Sequence, residues 1–287
     1  LNMSKLKMAI QKDGRLSEKS LELVRECGID LTNGSRKLLS VAGNFPVELM
    51  YLRDDDIPGY VADGVADIGI VGENVVEEEQ PNVQILEKLG FAKCRMSLAL
   101  PRTETYEGLA SFQNKKIATS YPNILQSYFK KKNIEAEIHE ISGSVEIAPA
   151  IGLADAIFDI VSSGSTLISN GLKEVETVMY SQAVLISNSE LNNEKAEIAE
   201  KLLFRMRSVR KSSKNKYILL NAPNENLDNI IRLLPGMKSP TIMPLAEEGW
   251  SSLHSVLNEN EFWDVIDKLR NYGAQGILVI PIEKMIV

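Results

Sequence analysis

Apolar and polar positions along this chain fall into blocks that read strand, helix, strand, helix. Lys7 to Gln11 is a short strand, Lys12-Asp13-Gly14-Arg15-Leu16 a loop, and Ser17 caps a helix that ends near Cys27-Gly28. Asp54-Asp55-Asp56-Ile57-Pro58 begins another helix, because carboxylates favour the positive helix end and proline is tolerated in the first turn. Gly64 stops it. Asp67 to Val71 is then a buried strand that enters a Gly72-Glu73-Asn74 loop. This alternation predicts an α/β fold with largely parallel sheets.

The pattern repeats. Pro58 to Asp67 followed by Ile68 to Val71 resembles Pro149 to Asp155 followed by Ile157 to Val161. Each is a helix closed by Gly, the pair Ala-Asp, an apolar strand and a small-residue loop. Two similar lobes are expected, each presenting a loop at the carboxyl end of a strand, where ligands of open α/β sheets bind. The second lobe opens with Lys115 to Pro122. Two common helix–strand units can also look alike by chance.

Beyond about residue 190 the character changes. Glu194 to Arg210 is a helix with Ile198, Leu202 and Met206 on one face, and Lys211 to Asn215 a polar linker. Then come strand Tyr217–Ala222, helix Leu227–Leu234, strands Thr241–Leu245 and Ser251–Leu257, helix Glu261–Tyr272 and strand Gly276–Ile282. That order, βαββαβ, is the ferredoxin-like arrangement.

Composition narrows the function classes. The 287 residues are ordinary for a soluble globular protein, at 44% hydrophobic and 25% charged. A net charge of −7 leaves no basic surface for nucleic acid. The two cysteines, Cys27 and Cys94, make no disulfide framework, so a reducing compartment and a cytoplasmic location are expected. His139 and His254 have no metal-ligating neighbour at zinc spacing. No apolar run approaches the roughly 18 residues of a membrane span.

The chemistry concentrates in Glu146 to Leu167. Ala156 to Val161 is an apolar strand carrying one carboxylate, Asp159, and a loop of Ser162, Ser163, Gly164, Ser165 and Thr166 follows at once. A strand, a small-residue loop and a helix start form an anion cradle of backbone N–H groups and hydroxyls. An Asp ahead of the loop suits sugar hydroxyls, so the set points to a phosphorylated ribose. On spacing alone it is equally a strand ending in a Ser/Thr helix cap. A cationic set, Lys12, Arg15, Arg36, Arg53 and Arg95, complements the acidic and hydroxyl set of Glu146, Asp155, Asp159 and Ser162–Thr166. Together they suit a reaction between two polyanions helped by Mg²⁺. Nothing resembles a covalent nucleophile.

The run Glu146 to Leu167 resembles the motif of the ATP phosphoribosyltransferases. Glu146, Gly152, Ala154, Ile157, Asp159, Ile160, Ser163, Gly164, Thr166 and Leu167 fill its fixed positions. The likeness extends to Gln11–Ser17, Arg53–Pro58, Gly69–Asn74, Ala118–Pro122 and Ile280–Met285. The C-terminal module marks the long form. The resemblance implies two periplasmic-binding-protein-like α/β lobes plus a ferredoxin-like (ACT-like) regulatory domain. Residues 1–100 with 181–213 would form lobe I, 101–180 lobe II, and 214–287 the regulatory domain. It implies transfer of phosphoribosyl from phosphoribosyl pyrophosphate to N1 of the ATP adenine, the first step of histidine biosynthesis. Histidine would inhibit, and the chain would assemble as a hexamer of dimers.

Residue by residue, the likeness places the 5-phosphate on Ser162, Ser163, Gly164, Ser165 and Thr166. Asp159 and Asp155 would take the ribose hydroxyls, with Glu146 beside them. Lys12, Gly14, Arg15, Arg36 and Arg53 would face triphosphate and pyrophosphate, Arg15, Arg53 and Asp159 being the catalytic set. Gly72, Glu73 and Tyr121 would line the far side of the cleft. Histidine would bind near Asn221, Met237 and Thr241. Mg²⁺ would be held mainly by substrate phosphates, not by protein side chains. Two α/β lobes around a cleft also serve solute-binding and sensor proteins, and turnover separates the two readings.

Overall fold

A computed structural model of the chain describes residues 4–31 and 38–286. The chain divides into two compact units, Leu1–Arg25 with Ile29–Ala199 and Glu26–Gly28 with Glu200–Val287.

The first unit holds two sheets. The first sheet draws on β1 (Leu6–Gln11), β2 (Leu39–Val41), β3 (Val47–Leu52), β4 (Ile68–Gly72) and β5 (Val83–Lys88), with helices α1 (Arg15–Glu26), α2 (Ile57–Ala62) and α3 (Glu73–Glu79) between them. The second is built from β6 (Cys94–Pro101), β7 (Lys116–Thr119), β8 (Glu137–Glu140), β9 (Ala156–Val161) and β10 (Leu172–Ser181), with α4 (Pro122–Lys132) and the one-turn α5 (Ser165–Ser169). The chain then returns as β11 (Ala183–Asn188) to complete the first sheet, whose order is β2-β3-β1-β4-β11-β5. The second sheet runs β10-β6-β9-β7-β8.

Parallel pairing is confined to β3-β1-β4 in one sheet and β8-β7-β9 in the other. Strands β11 and β5, and β6 and β10, pair antiparallel. The expectation of largely parallel sheets is corrected here. The chain crosses between the sheets twice, through residues 89–93 and at Gln182, and each crossing delivers strands that run against their neighbours. The lobe boundary moves too. β6 belongs to the second sheet, so the first lobe ends before Cys94 and not at residue 100. At the other end, the unit boundary falls inside a helix, α6 (Asn193–Ser212), at Ala199 and Glu200.

Each lobe has its own apolar centre. Ala9, Ile57, Val61, Val71, Val75, Val184 and Ile186 meet in the first. Phe112, Phe158, Met96, Leu98 and Leu125 meet in the second, where β9 is buried on both faces. Several local readings shift by a few residues. Ser17 is not a cap; α1 starts at Arg15, and the Ser17 hydroxyl, buried, donates to the Lys12 carbonyl (3.3 Å). Gly72-Glu73-Asn74 is not a loop, since α3 starts at Glu73.

The second unit contains β12 (Asn215–Pro223), α7 (Leu227–Leu233), β13 (Thr241–Pro244), β14 (Trp250–Asn258), α8 (Glu259–Asn271) and β15 (Gln275–Pro281). The antiparallel sheet order is β13-β14-β12-β15, the βαββαβ arrangement. Ile218, Leu220, Leu253 and Leu257 turn to the helices and pack with Ile230, Phe262 and Leu269. The predicted linker at Lys211–Asn215 shrinks to Ser213-Lys214, because α6 runs on through Ser212 and β12 starts at Asn215.

Candidate active site

Parallel strands end at one edge of each sheet, and Lys12, Gly14, Arg15, Arg53, Gly72, Glu73, Tyr121 and Ser162–Thr166 lie at these ends. In the first lobe β1 ends in Lys12-Asp13-Gly14, β3 in Arg53 and β4 in Gly72. Gly14 has φ +93°, a left-handed conformation that glycine adopts without penalty, and its carbonyl accepts the Glu18 N–H (3.0 Å) as the chain turns into α1. Lys12, Arg15 and Arg53 are exposed, and none forms a salt bridge among the described residues despite Asp13, Asp54, Asp55 and Asp56 nearby. Their charge is unspent. Arg36 lies outside the described residues.

In the second lobe β9 ends in Ser162-Ser163-Gly164. Val161 before it and Leu167 after it are buried in the same apolar cluster, which staples the loop at both ends. Gly164 sits at φ +81° and caps α5, its carbonyl accepting the Ile168 N–H (3.1 Å). The helix begins at Ser165, so Ser165 and Thr166 belong to its first turn. The Ser163 and Ser165 hydroxyls are 2.9 Å apart. The backbone N–H groups of Ser163, Gly164, Thr166 and Leu167 find no partner among the described residues. A small cradle of unused donors results, of the kind that receives a phosphate.

Asp159 projects from β9 two residues ahead of the loop. One of its oxygens accepts the Ile160 N–H (2.7 Å). Burial raises its pKa above the ordinary carboxylate value, and the Glu146 charge adds to the shift while the Ile160 bond opposes it. Tyr121 ties the two lobes together. Burial raises its phenol pKa, and the charges of Asp159, Asp55 and Asp54 raise it further. One phenol thus lies within electrostatic reach of carboxylates from both lobes.

One expected site residue, Asp155, is placed away from the loop, and another, Glu73, has partners within the protein. Asp155 lies at the amino end of β9, more than roughly 20 Å along the strand from the loop. Its carboxylate accepts the Lys116 N–H (2.8 Å), and its own N–H donates to the Lys116 carbonyl (2.8 Å). It clasps two strands and is not a ribose ligand. Glu73 is at the correct edge, but its carboxylate pairs with Lys88 (2.6 Å) and its N–H donates to the Gln182 carbonyl (2.9 Å). Gly72 is explained locally: a Cβ there would fall 2.5 Å from Asn74 Oδ1.

The family model for ATP phosphoribosyltransferase matches residues 53–208, which include Arg53, Tyr121, Asp159 and the loop. The chain belongs to the ATP phosphoribosyltransferase family. It is accordingly an enzyme, a phosphoribosyltransferase within the glycosyltransferases, and acts in histidine biosynthesis. A second model, HisG, C-terminal domain, matches residues 212–284. The chain is similar to the ATP phosphoribosyltransferase of Cytophaga hutchinsonii, 58% identical over 281 residues and 98% of each chain. It is equally similar to that of Bacteroides thetaiotaomicron, 58% identical over 282 residues, covering 98% of this chain and 100% of the relative. Among solved structures it resembles a chain of the ATP phosphoribosyl transferase (HisG:HisZ) complex from Thermotoga maritima. The TM-score is 0.61 at 31% identity, over 70% of this chain and 96% of that one.

Within the first unit, two supports of the loop edges had no signal in residue spacing. Arg95 on β6 reads as one more cation, yet its guanidinium grips Glu174 of β10 through Nε and Nη2 (both 2.5 Å). Its third nitrogen donates to the Ser162 carbonyl (3.1 Å) and so fixes the mouth of the loop. Glu78, which the sequence did not single out, is buried, and its carboxylate accepts the Asn123 and Ile124 N–H groups. Both contacts join residues far apart in sequence, which periodicity cannot see.

Asn221, Met237 and Thr241 are in the second unit, on and beside the sheet face that the helices leave open. Asn221 pairs with Ser252 and Thr241 with His254 across the ladder. Two strands across and two residues along place the Asn221 and Thr241 Cα atoms roughly 12 Å apart. Met237 is 53% exposed.

Proposed function

We propose that the cleft transfers the phosphoribosyl group of phosphoribosyl pyrophosphate to N1 of the ATP adenine, releasing pyrophosphate, as the first step of histidine biosynthesis. One pair of observations supports the assignment of sites: the N–H groups of Ser163, Gly164, Thr166 and Leu167 have no partner among the described residues, and Lys12, Arg15 and Arg53, at the carboxyl ends of the other sheet's parallel strands, form no salt bridge among them. The cradle takes the 5-phosphate, with the Ser162 and Thr166 hydroxyls as added donors. Asp159 accepts from the ribose hydroxyls, and Glu146 holds its field negative. The cations take the pyrophosphate and triphosphate, with Tyr121 closing the side of the cleft between the lobes.

This division of labour fits the chemistry. As pyrophosphate leaves, the anomeric carbon becomes oxocarbenium-like and the departing oxygens gain charge. Preplaced cations and donors are what such a step needs. Adenine N1 is already a nucleophile, so no strong base is required. Mg²⁺ supplies charge neutralisation while riding on the polyphosphates. The described residues contain no group of three or more His, Cys, Asp or Glu that could hold a metal ion.

The second unit is the sensor in this reading. Histidine binds on the open sheet face near Asn221, whose amide oxygen accepts from the ammonium, and Thr241, which donates to the carboxylate. The ammonium and carboxylate of a free amino acid share one carbon while these two Cα atoms are about 12 Å apart, so neighbouring groups such as Met237 complete the site. Inhibition requires different histidine affinity in the active and inactive arrangements. Association of copies into a hexamer of dimers is supported by apolar residues left exposed on this sheet, Ile242, Met243, Leu278 and Ile280. No helix among the described residues is long and apolar enough to cross a membrane, in keeping with a cytoplasmic enzyme.

The test is pyrophosphate release from ATP, phosphoribosyl pyrophosphate and Mg²⁺, with and without histidine. Turnover with all three components and none when Mg²⁺ is chelated is the expected result. Tight ligand binding with no pyrophosphate would make the chain a binding protein.

A further inference from the structure

Helix α3 belongs to the first lobe, yet both of its ends are tied to the second-lobe side of the crossing. At its start the Glu73 N–H donates to the Gln182 carbonyl (2.9 Å). Asn74, buried, donates its N–H to the Ser181 hydroxyl (3.0 Å), which returns a bond to Asn74 Oδ1 (2.8 Å). Gln182 and Ser181 lie where the chain crosses back between the sheets. One turn on, the Glu78 carboxylate reaches α4. One oxygen accepts the Asn123 N–H (2.9 Å), the other the Ile124 N–H (3.0 Å), and the Glu78 carbonyl accepts from the Asn123 side chain (3.1 Å).

Those two N–H groups are ones that a helix start leaves without an internal partner. A residue at the N-cap normally satisfies them, and a negative charge there is favoured. In α4 the N-cap is Tyr121, which makes no capping bond, and Pro122 has no N–H to offer. The capping group therefore comes from the opposite lobe. Glu78 is 6% exposed, so the contact is a built part of the interior and not a surface accident. Tyr121, whose phenol sits among Asp159, Asp54 and Asp55, immediately precedes the helix that Glu78 holds.

We infer that Glu78 is a positioning residue for the transfer reaction: by capping α4 across the cleft it fixes the separation of the two loop edges. It thereby holds Tyr121, and the first-lobe cations, in register with the Ser162–Thr166 loop. The kinetic consequence rests on the cleft reading given above; the capping itself does not.

The experiment uses the full chain and two variants. Glu78→Gln keeps shape but replaces one acceptor oxygen with a donor that opposes a backbone N–H. Glu78→Asp keeps the charge and withdraws it by one methylene. Amide exchange of Asn123 and Ile124 should quicken at least tenfold in Glu78→Gln, while amides of β7 and β9 keep their protection. Under conditions where the variant is fully folded, kcat/KM should fall at least tenfold for both substrates, with Glu78→Asp in between. Unchanged exchange at the two amides overturns the cap. Faster exchange with unaltered kcat and KM overturns the positioning role, as does an Asp variant equal to the parent beside an impaired Gln variant. Should the parent release no pyrophosphate, the cleft reading fails while the exchange result still decides the cap.

Discussion

Ala66-Asp67 before β4 and Ala154-Asp155 before β9 are the same residues in the same backbone setting. Asp67 donates its N–H to the Lys7 carbonyl (2.9 Å) and accepts the Lys7 N–H on its carboxylate (2.8 Å). Asp155 does the same with Lys116, at 2.8 Å each way. Each aspartate fastens the start of its own strand to the start of the parallel neighbour, and each follows a left-handed glycine, Gly64 at +70° and Gly152 at +72°. The carboxyl ends of the two strands differ. β4 passes through Gly72 into α3, whose first two N–H groups are spent on Gln182 and Ser181. β9 opens into Ser162-Ser163-Gly164, where the Ser163 and Gly164 N–H groups have no partner among the described residues. The repeated end builds the lobe, and the divergent end carries the proposed site.

The largest expected contrast comes from the two glycines at the divergent ends. Gly164→Val places a β-branched residue at φ +81°, which costs about 1–2 kcal/mol and turns the loop donors away. We expect the KM for phosphoribosyl pyrophosphate to rise about 100-fold with a melting shift of only about 2–4 °C. Gly72→Ala has an ordinary backbone angle but drives its Cβ into Asn74, so its loss is in stability. Steady-state kinetics and calorimetry on both variants decide. A Gly164 variant that unfolds while the Gly72 variant loses substrate affinity would reverse the comparison.

Cations offer the next contrast. Arg15→Ala and Arg53→Ala should each lower turnover about 10- to 100-fold, the worth of a lost charge-assisted hydrogen bond of about 1.5–3 kcal/mol. Melting temperature should stay put, because neither side chain forms a salt bridge among the described residues. Lys195→Ala is the counterpart. Its ammonium pairs with the buried Asp67 (2.8 Å), so the variant should lose stability and keep its rate. An Arg53 variant that melts early at full rate would place Arg53 in the scaffold.

The clasps themselves come third. Asp67→Asn should cost about 1–3 kcal/mol in chemical unfolding, since its carboxylate is buried, and Asp155→Asn about 0.5–1.5 kcal/mol, since its bond to Lys116 is exposed. Asp67 should cost more, because Lys195 then loses its partner too. In Asp155→Asn the KM for phosphoribosyl pyrophosphate should stay within about twofold. A large rise would return Asp155 to the ribose and break the parallel between the clasps.

This comparison also explains what the sequence could disclose. Strand and helix blocks were legible because burial imposes period and glycines end helices; every element from β12 to β15 was expected within about two residues. The Ser162–Thr166 loop was legible because it is local. Asp155 was misread because the same Ala-Asp pair that begins a strand also lies near the motif in sequence, and linear nearness hid the length of β9 between them. Glu78 with Ile124 and Arg95 with Glu174 were out of reach, being 46 and 79 residues apart. The antiparallel strands escaped for a similar reason, since only the double crossing between sheets sets their direction.

The smallest expected effect concerns the support that the loop of β9 has and the end of β4 lacks. The Arg95 guanidinium beside Glu174 holds that carboxyl below its ordinary range, with Ser97 and Thr177 hydroxyls assisting and burial opposing. A carboxyl whose folded pKa is depressed contributes stability that is fully present above its unfolded value, about 4.3, and is lost as pH falls through the folded value. Between about pH 5 and pH 3 the parent should therefore lose stability more steeply than Glu174→Gln, which has nothing to protonate. The pair is partly exposed, so the difference should be about 0.5–1 kcal/mol. At neutral pH the same variant should loosen Arg95 from the Ser162 carbonyl and raise the KM for phosphoribosyl pyrophosphate two- to fivefold, leaving the KM for ATP unchanged. Equal acid profiles would show that the pair contributes nothing to folding. An equal rise for both substrates would show that Arg95 steadies the whole second sheet instead of the one loop that distinguishes it from the first.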